Sequence, residues 1–147
     1  MQDISIVEES IELLPRIGRS FFASVSSLSA PAGLTTAQSR AVAMLYHGGD
    51  MTMTEIAAGL GIGMPSASEL IDRLEERGMV SRSVDQADRR RVILALTDDA
   101  LPFAVQIHDL HRAQVRRALA ALEPVEHSIF LKSLRALAAA IDTGPAT

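Results

Sequence analysis

The sequence predicts a mainly α-helical protein with one small β hairpin. Three observations indicate this fold class. Apolar residues recur every three or four positions along most of the 147-residue chain, two segments have the Thr-x-x-Gln/Glu pattern of helix capping boxes, and a pair of β-prone runs lies at 80–85 and 91–96. A chain of this length can bury roughly two thirds of the surface that its unfolded form exposes, so it can build its own core.

The composition excludes several kinds of site. The chain has no cysteine, which excludes disulfides, thiolate metal sites and any cysteine nucleophile or redox-sensing thiol. The acidic N-terminus lacks a continuous apolar run and no segment reaches about 18 apolar residues, so we expect a cytoplasmic protein with no membrane span. The formal net charge is −4, and such a chain has no general need for clustered cations.

The N-terminal part is predicted to form two helices. Residues 4–28 have the apolar spacing of a helix with one broad stripe, and Pro15 is a candidate for a bend within it. The segment "APAG" at 30–33 ends this helix. Thr35 and Gln38 then form a predicted capping box, in which each side chain accepts a hydrogen bond from the backbone of the other residue.

The next segment has the layout of a helix-turn-helix. Thr52 and Glu55 predict the start of a short helix that ends near Gly61, Pro65 suits the first position of the following helix, and Gly78 suits the left-handed residue after its last turn. Two helices separated by three or four residues, the second well capped at both ends, are typical of this motif. The second helix has an apolar face that consists of Ala67, Leu70, Ile71 and Leu74.

The hairpin that follows carries clustered positive charge. Its two β-prone runs are joined by "DQADRR", so the row of Arg89, Arg90 and Arg91 lies at or beside the hairpin tip. After a helix-turn-helix such a hairpin is a wing, and its cations favour a negatively charged partner. The alternative is a solvated tip that binds nothing.

The C-terminal part is predicted to be helical and to form an interface. Thr97 is the expected N-cap, Asp98 and Asp99 place negative charge where the helix dipole favours it, and Pro102 lies deep enough to bend the helix start. A last helix begins at Pro124 and is apolar around most of its circumference. Because so small a chain cannot bury such a helix alone, we expect a dimer in which the chain ends pack together.

Four segments together resemble the multiple-antibiotic-resistance regulator (MarR) family of bacterial transcription factors. They are "LTTAQ", "TEIAAGLGI", "LIDRLEERGMV" and above all "DRRRVILALT", and the match spans nearly the whole chain. In that family the wing carries Asp-x-Arg followed by a strand that ends in Leu-Thr, and Asp88, Arg90, Leu96 and Thr97 occupy these positions. The resemblance implies a winged helix-turn-helix flanked by terminal helices that form a homodimer.

The resemblance also implies a domain organisation and a function. Residues 31–97 would form the DNA-binding region, and 1–30 with 98–147 the helical dimerisation region. The expected protein is a transcriptional repressor without cofactor or enzymatic activity, bound to a nearly palindromic double-stranded operator and released by a small aromatic or phenolic acid. The ligand-binding residues suggested by the analogy are Arg16, Met44, Phe103 and His108.

Base recognition and phosphate binding are assigned to different residues of the helix-turn-helix. Cations near phosphates supply most of the affinity for DNA, whereas contacts with base edges discriminate between sequences. Glu69 could accept a hydrogen bond from a cytosine amino group. The base-edge candidates are Ser66, Ser68 and Glu69, and the phosphate candidates are Thr52, Arg73, Arg77 and Arg82.

On the wing, Arg90 is the residue expected to enter the minor groove. Narrow A·T-rich minor grooves concentrate negative potential, and arginine inserts well into them. Asp88 is expected to accept a hydrogen bond from the Arg90 guanidinium and so to orient the wing. Arg89 and Arg91 would then meet flanking phosphates or solvent.

Two other functions stay open on the sequence. The acidic outward face of the recognition helix and the negative net charge favour a winged-helix protein-interaction module. His108 and His111 lie three residues apart and share a helix face, so with His47 or a carboxylate they could hold zinc in a metal-responsive regulator or a metal-dependent enzyme. No HExxH pattern accompanies them, and no acidic pair has a recognisable catalytic arrangement.

Overall fold

The computed structural model describes residues 2–142, and the side chains of residues 4–141. Within them the chain divides into two compact units, one that ends at Leu110 and one that begins at His111. The predicted class, mainly α with a small β wing, is confirmed. The elements are α1 (Gln2–Ser29), α2 (Thr36–Gly48), β1 (Met51–Thr52), α3 (Met53–Leu60), α4 (Met64–Glu76), β2 (Val80–Val84), β3 (Val92–Leu96), a 3-10 turn (Asp98–Ala100), α5 (Leu101–Ala120) and α6 (Pro124–Asp142).

Helix α1 runs without interruption through Pro15, and it becomes buried only near its C-terminal end. There Val25 is almost fully buried, and the hydroxyl of Ser29 donates to Ser39 Oγ of α2 at 2.7 Å. The Arg40 guanidinium of α2 lies 4.1 Å from the centre of the Phe22 ring, a cation–π distance. The C-terminal end of α1 is therefore fastened to α2, whereas its N-terminal side chains face solvent.

Both predicted capping boxes are confirmed. At the start of α2, Thr35 N donates to Gln38 Oε1 at 2.8 Å and Gln38 N donates to Thr35 Oγ1 at 3.2 Å. At the start of α3, Thr52 N donates to Glu55 Oε2 at 2.7 Å and Glu55 N donates to Thr52 Oγ1 at 3.3 Å. Each box satisfies two backbone donors that a helix start otherwise leaves unpaired.

The core of the first unit lies between the helix-turn-helix and the sheet. The apolar face predicted for α4 is buried as expected, and three of its four residues pack in one cluster with α2, α3 and Leu94 of β3. Helix α4 begins at Met64, so Pro65 is its second residue rather than its first. The buried members of the cluster on α2, α3 and α4 are Ala41, Val42, Leu45, Ile56, Leu60, Leu70, Ile71 and Leu74.

The wing is part of a three-stranded antiparallel sheet in the order β1-β3-β2. Strands β2 and β3 pair from Val80↔Leu96 to Val84↔Val92, which agrees with the predicted hairpin. Strand β1 was not predicted, because two residues are too few to give a periodic signal. It pairs Met51 with Leu94 and so joins the start of α3 to the wing.

Thr97 does not cap the next helix with its side chain, and this part of the prediction was wrong. Its hydroxyl donates to Gly78 O at 2.6 Å, and its backbone N–H donates to Met79 O at 3.1 Å. Thr97 therefore ties the end of β3 to the turn after α4. Because a 3-10 turn precedes α5, Pro102 falls in the first turn of the α-helix, where the N–H that proline lacks has no intrahelical partner.

The second unit contains the C-terminal half of α5 and helix α6, which begins at Pro124 as predicted. Glu123 N donates to Glu126 Oε2 at 2.8 Å at the start of α6, and His127 Nε2 lies 2.9 Å from Leu119 O. Almost every described side chain of α6 is exposed. None of the helices in the described part of the chain is long and apolar enough to cross a membrane.

The capping box of α3 predicts a pH-dependent contribution to stability. Hydrogen bonds from the backbone N–H and the hydroxyl of Thr52 lower the pKa of Glu55 below its ordinary value of 4.5, and the positive charge of Arg91 acts in the same direction. A carboxyl with a lowered folded-state pKa stabilises the fold above its unfolded value, and this contribution is lost as the pH falls through the folded value.

We therefore expect the Glu55→Gln variant to be less stable than the wild type at neutral pH. Glutamine keeps the hydrogen-bond acceptor, as Gln38 does in α2, so the comparison isolates the charge. The difference should shrink as the pH falls below 4.5. Urea unfolding at a series of pH values measures it, and a difference that does not change with pH would contradict this account of Glu55.

Candidate DNA-binding surface

The start of α3 and the wing tip enclose a cleft of about 520 Å³, lined by Thr52–Glu55 and by Arg90–Val92. The segment Met51–Thr52 pairs with β3, so one short stretch both joins the sheet and caps α3. The hydroxyl of Thr52 accepts from Glu55 N and donates to the Glu55 carboxylate at 2.8 Å. Because this hydroxyl is committed to the cap, Thr52 is poorly placed for the predicted phosphate contact.

Two aspartates shape the wing tip. Asp88 Oδ1 accepts from Arg90 N at 3.0 Å, and Asp88 O accepts from Arg91 N at 2.9 Å. Asp85 Oδ1 accepts from Ala87 N at 2.8 Å. The two bonds to Asp side chains are Asx-turn contacts, and the bond from Arg91 N to Asp88 O is the backbone bond of a β-turn.

The wing-tip geometry corrects the prediction for Asp88. Its carboxylate accepts a hydrogen bond from the backbone N–H of Arg90, whereas the sequence predicted a hydrogen bond from the Arg90 guanidinium. It therefore shapes the chain that presents Arg90 rather than holding the side chain itself. Arg89, Arg90 and Arg91 are all exposed, so the tip presents a row of three cations.

On the recognition helix α4, Ser66 is exposed and Ser68 is half-buried. Glu69 accepts from Arg73 Nη2 at 2.6 Å, one helical turn away. The predicted base-edge acceptor and the predicted phosphate donor are therefore partners of each other. Both side chains are more than half exposed, and an exposed pair of this kind contributes only about 0–1 kcal/mol, so another charged group can compete for either member.

Arg82 of β2 lies against the recognition helix. Its guanidinium forms an ion pair with Asp72 and a second one with Glu75 at 3.4 Å. Arg82 was predicted to bind phosphate, and in the structure its guanidinium bonds instead to these two carboxylates. It fastens the wing to α4 and neutralises carboxylates on a helix face that would otherwise repel a nucleic acid.

Arg77, also predicted to bind phosphate, is directed towards the turn after α1. Its Nη2 donates to Ala32 O at 2.6 Å, and its Nη1 donates to Gly33 O at 3.1 Å. The sequence offered no signal for these bonds, because they join residues 44 and 45 positions apart.

The four residues suggested for ligand binding do not share one environment. Met44 and Phe103 pack against the hydrophobic core, whereas Arg16 is exposed on α1. Helix α3 passes so close to Met44 that a Cβ at Gly59 would lie 2.1 Å from Met44 Cε. Met44 therefore contributes to the packing of α2 against α3.

His108, the fourth of these residues, lies in an aromatic cluster with Tyr46 and His47. Its ring centre is 5.1 Å from that of His47 and 5.5 Å from that of Tyr46. Partial burial lowers the pKa of His47, and the positive charge of His108 lowers it further. Across the described residues, no group of three histidines or carboxylates is arranged to hold a metal ion, and His111 belongs to the second unit.

The helix pair, the sheet that joins it to a hairpin, and the cationic hairpin tip together define a winged helix-turn-helix DNA-binding protein. A sequence model of the MarR family matches residues 32–91. The HTH-type transcriptional regulator YfiV of Bacillus subtilis is 29% identical over 105 residues, which cover 71% of this chain and 66% of that protein.

Solved structures agree with the sequence comparison. A MarR-family transcriptional regulator from Silicibacter pomeroyi has a TM-score of 0.78 and 24% identity, with 96% of this chain and 95% of that chain covered. Bordetella bronchiseptica BpsR, whose DNA binding is regulated by 6-hydroxynicotinic acid, has a TM-score of 0.60 and 24% identity over 86% of this chain and 91% of its own. In sequence, residues 32–91 therefore match the MarR family of transcriptional regulators, and in fold the chain is similar to solved members of that family.

The histidine cluster gives a prediction for His47. Replacing His108 with glutamine removes one of the two causes that lower the pKa of His47, whereas the burial remains. The pKa of His47 should therefore rise in the His108→Gln variant but stay below 6.5. NMR titration of the His47 ring measures it, and Tyr46→Phe, which keeps the neighbouring ring, serves as the control. A pKa of His47 that does not change in His108→Gln would contradict the proximity of the two imidazoles.

Proposed function

We propose that this protein is a homodimeric transcriptional repressor that acts in the cytoplasm and is released from its operator by a small aromatic acid. The main support for the proposed DNA-binding surface is the row of three exposed arginines at the wing tip. This row lies beside a capped helix pair in a chain of net charge −4. Residues 31–97 contact DNA in this proposal. The helical segments 1–30 and 98–147 form the dimer and carry no catalytic role.

The proposed contacts with DNA keep those expected for the wing and for the start of α4, and they leave out Thr52, Arg77 and Arg82. Arg90 enters the minor groove, and Arg89 and Arg91 bind flanking phosphates, because these three side chains are exposed at the tip. Ser66 and Ser68 contact base edges. Arg73 exchanges Glu69 for DNA when α4 enters the major groove, since the exposed pair between them is weak. Thr52, Arg77 and Arg82 support the surface through their bonds within the chain.

The acidic outward face of α4 kept open the alternative that this protein is a protein-interaction module. The ion pairs of Arg82 weaken that alternative. Asp72 and Glu75 are both paired with this one guanidinium. The outward face of α4 is therefore less negative than its sequence suggests. This supports an approach of the helix to DNA.

The proposed dimer rests on two exposed apolar surfaces, one on each terminal helix. On α1, Ile4 is 67% exposed, and on α6, Ile129 is 60% exposed. Contiguous apolar surface of this kind marks an interaction site, and a symmetric dimer covers it with a second copy. Two recognition helices about one helical turn apart would then require a nearly palindromic operator. Other large apolar residues on the same helices with exposed side chains include Val7, Ile11, Ile17, Val125, Leu131, Leu134 and Ile141.

The proposed release by an aromatic acid is supported by the structural relative BpsR, whose DNA binding is regulated by 6-hydroxynicotinic acid. A ligand shifts the spacing of the two DNA-binding regions only if it binds the free and DNA-bound conformations unequally. Titration with salicylate and 6-hydroxynicotinate should therefore change both melting temperature and operator affinity. A broad panel of aromatic acids that changes neither would refute this part of the proposal.

Arg90 provides the sharpest test of the wing. The Arg90→Ala variant should lose about 1–3 kcal/mol of operator binding, because it removes the side chain proposed to enter the minor groove. Its melting curve should barely change, since the side chain is exposed. Fluorescence anisotropy with labelled operator measures the affinity.

The matched control is Arg116→Ala, which removes one exposed arginine from α5. It makes the same change in net charge and should bind the operator almost as the wild type does. Unchanged affinity in a folded Arg90→Ala protein would make the arginine row a solvated turn.

Charge placed on the apolar face of α6 should dissociate the dimer. We expect Ile129→Glu to be monomeric at micromolar concentration, because a carboxylate cannot be buried in an apolar interface without a partner. Ser133→Glu, at an exposed polar position of the same helix, should stay dimeric. Size-exclusion chromatography with light scattering decides, and a monomeric wild type would rule out the proposed assembly.

A further inference from the structure

Arg77 makes two bonds that the contact with DNA does not explain. It directly follows α4, and its guanidinium donates to two consecutive carbonyls, Ala32 O at 2.6 Å and Gly33 O at 3.1 Å. These carbonyls belong to the turn that follows α1. The bonds therefore join the C-terminal end of the recognition helix to the C-terminal end of α1.

The turn after α1 is suited to this guanidinium. The last turn of α1 contains no basic residue, so Arg77 supplies the positive charge that a helix C-terminus favours. Gly33 has a φ of 67°, a left-handed conformation that other residues rarely adopt. A Cβ at this position would lie 3.4 Å from Arg77 Nη1, so the guanidinium lies directly over the glycine.

The two hydrogen bonds from Arg77 to the turn after α1 require arginine. The guanidinium is a planar fork with fixed donor directions, so it can bond two neighbouring acceptors at once and fix their orientation. A lysine ammonium carries the same charge but is a point donor on a flexible stem. Lysine would therefore keep the charge at this position and lose the two-point geometry.

We propose that Arg77 is a positioning residue that sets the angle between the recognition helix and α1, and through it the spacing of the two half-sites that the dimer accepts. This inference rests on the proposed homodimer, in which α1 contributes to the interface. The two helices it joins lie in the same compact unit. While both hydrogen bonds of Arg77 are formed, α4 cannot rotate relative to α1 without breaking them.

The test compares the wild type with Arg77→Lys and Arg77→Ala on DNA duplexes derived from a sequence that the wild type selects from a random pool. One duplex keeps the selected half-site spacing, two have one base pair added or removed between the half-sites, and one contains a single half-site. Affinities are measured over a series of salt concentrations, and melting curves establish that each variant is folded.

In both variants, we expect the ratio of the affinity for the selected spacing to the affinity for the altered spacings to fall about fivefold. This change is within the range by which single mutations alter the coupling between sites. Single-half-site affinity and the salt dependence should stay as in the wild type, because neither variant removes a group that binds phosphate. Arg89→Ala is the contrasting control. It should lower the salt slope by about 0.9 for each phosphate that Arg89 neutralises in the wild type, and leave the spacing preference intact.

Two results would overturn the inference. One is an unchanged spacing preference in both variants. The other is the pattern of a phosphate ligand, in which Arg77→Ala loses half-site affinity and salt slope while Arg77→Lys keeps both. Should Arg77→Ala fail to fold, Arg77→Lys decides alone. A wild type without any spacing preference would instead refute the proposed dimer on its operator, and the positioning role with it.

Discussion

The burial of one face of α4 is the constraint on which the rest of the structure depends. Ala67, Ile71 and Leu74 have no exposed surface, and Ile71 and Leu74 pack in one cluster with α2, α3 and Leu94 of the sheet. Because a helix has about 3.6 residues per turn, burying this stripe turns the opposite stripe outward. Ser66, Glu69 and Arg73 face solvent for this reason. The hydrophobic core thus orients the surface that we propose binds DNA.

The six arginines between residues 73 and 91 divide into two groups by their environment. Arg73, Arg77 and Arg82 donate to carboxylates or carbonyls of their own chain, whereas within residues 4–141 the guanidinium groups of the three at the wing tip form no hydrogen bond or ion pair. A recognition helix with several carboxylates needs neighbouring cations before its outward face can approach phosphates, and Arg82 and Arg73 provide them.

The two-residue strand β1 links the helix-turn-helix to the wing. Thr52 pairs with Ile93 of β3 and is also the N-cap of α3, which begins one residue later. Its side chain and its backbone N–H both take part in the capping box. The wing tip and the start of α3 are therefore held at opposite sides of one cleft. The wing is therefore joined to the helix pair by the backbone hydrogen bonds of β1 and also by the ion pairs of Arg82 with α4.

Local signals in the sequence determined the helices, both capping boxes, the left-handed Gly78, the hairpin and the buried face of α4, because each depends on residues a few positions apart. The tertiary structure alone decided the partners of Arg77 and Arg82. Arg77 meets a turn 44 residues earlier and Arg82 meets α4, and no local spacing encodes such contacts. It also decided the role of Thr97, whose hydroxyl found an acceptor in Gly78 instead of a helix start. Charge and periodicity are properties of the sequence, whereas the partner of a charged group depends on which distant segments the core brings together.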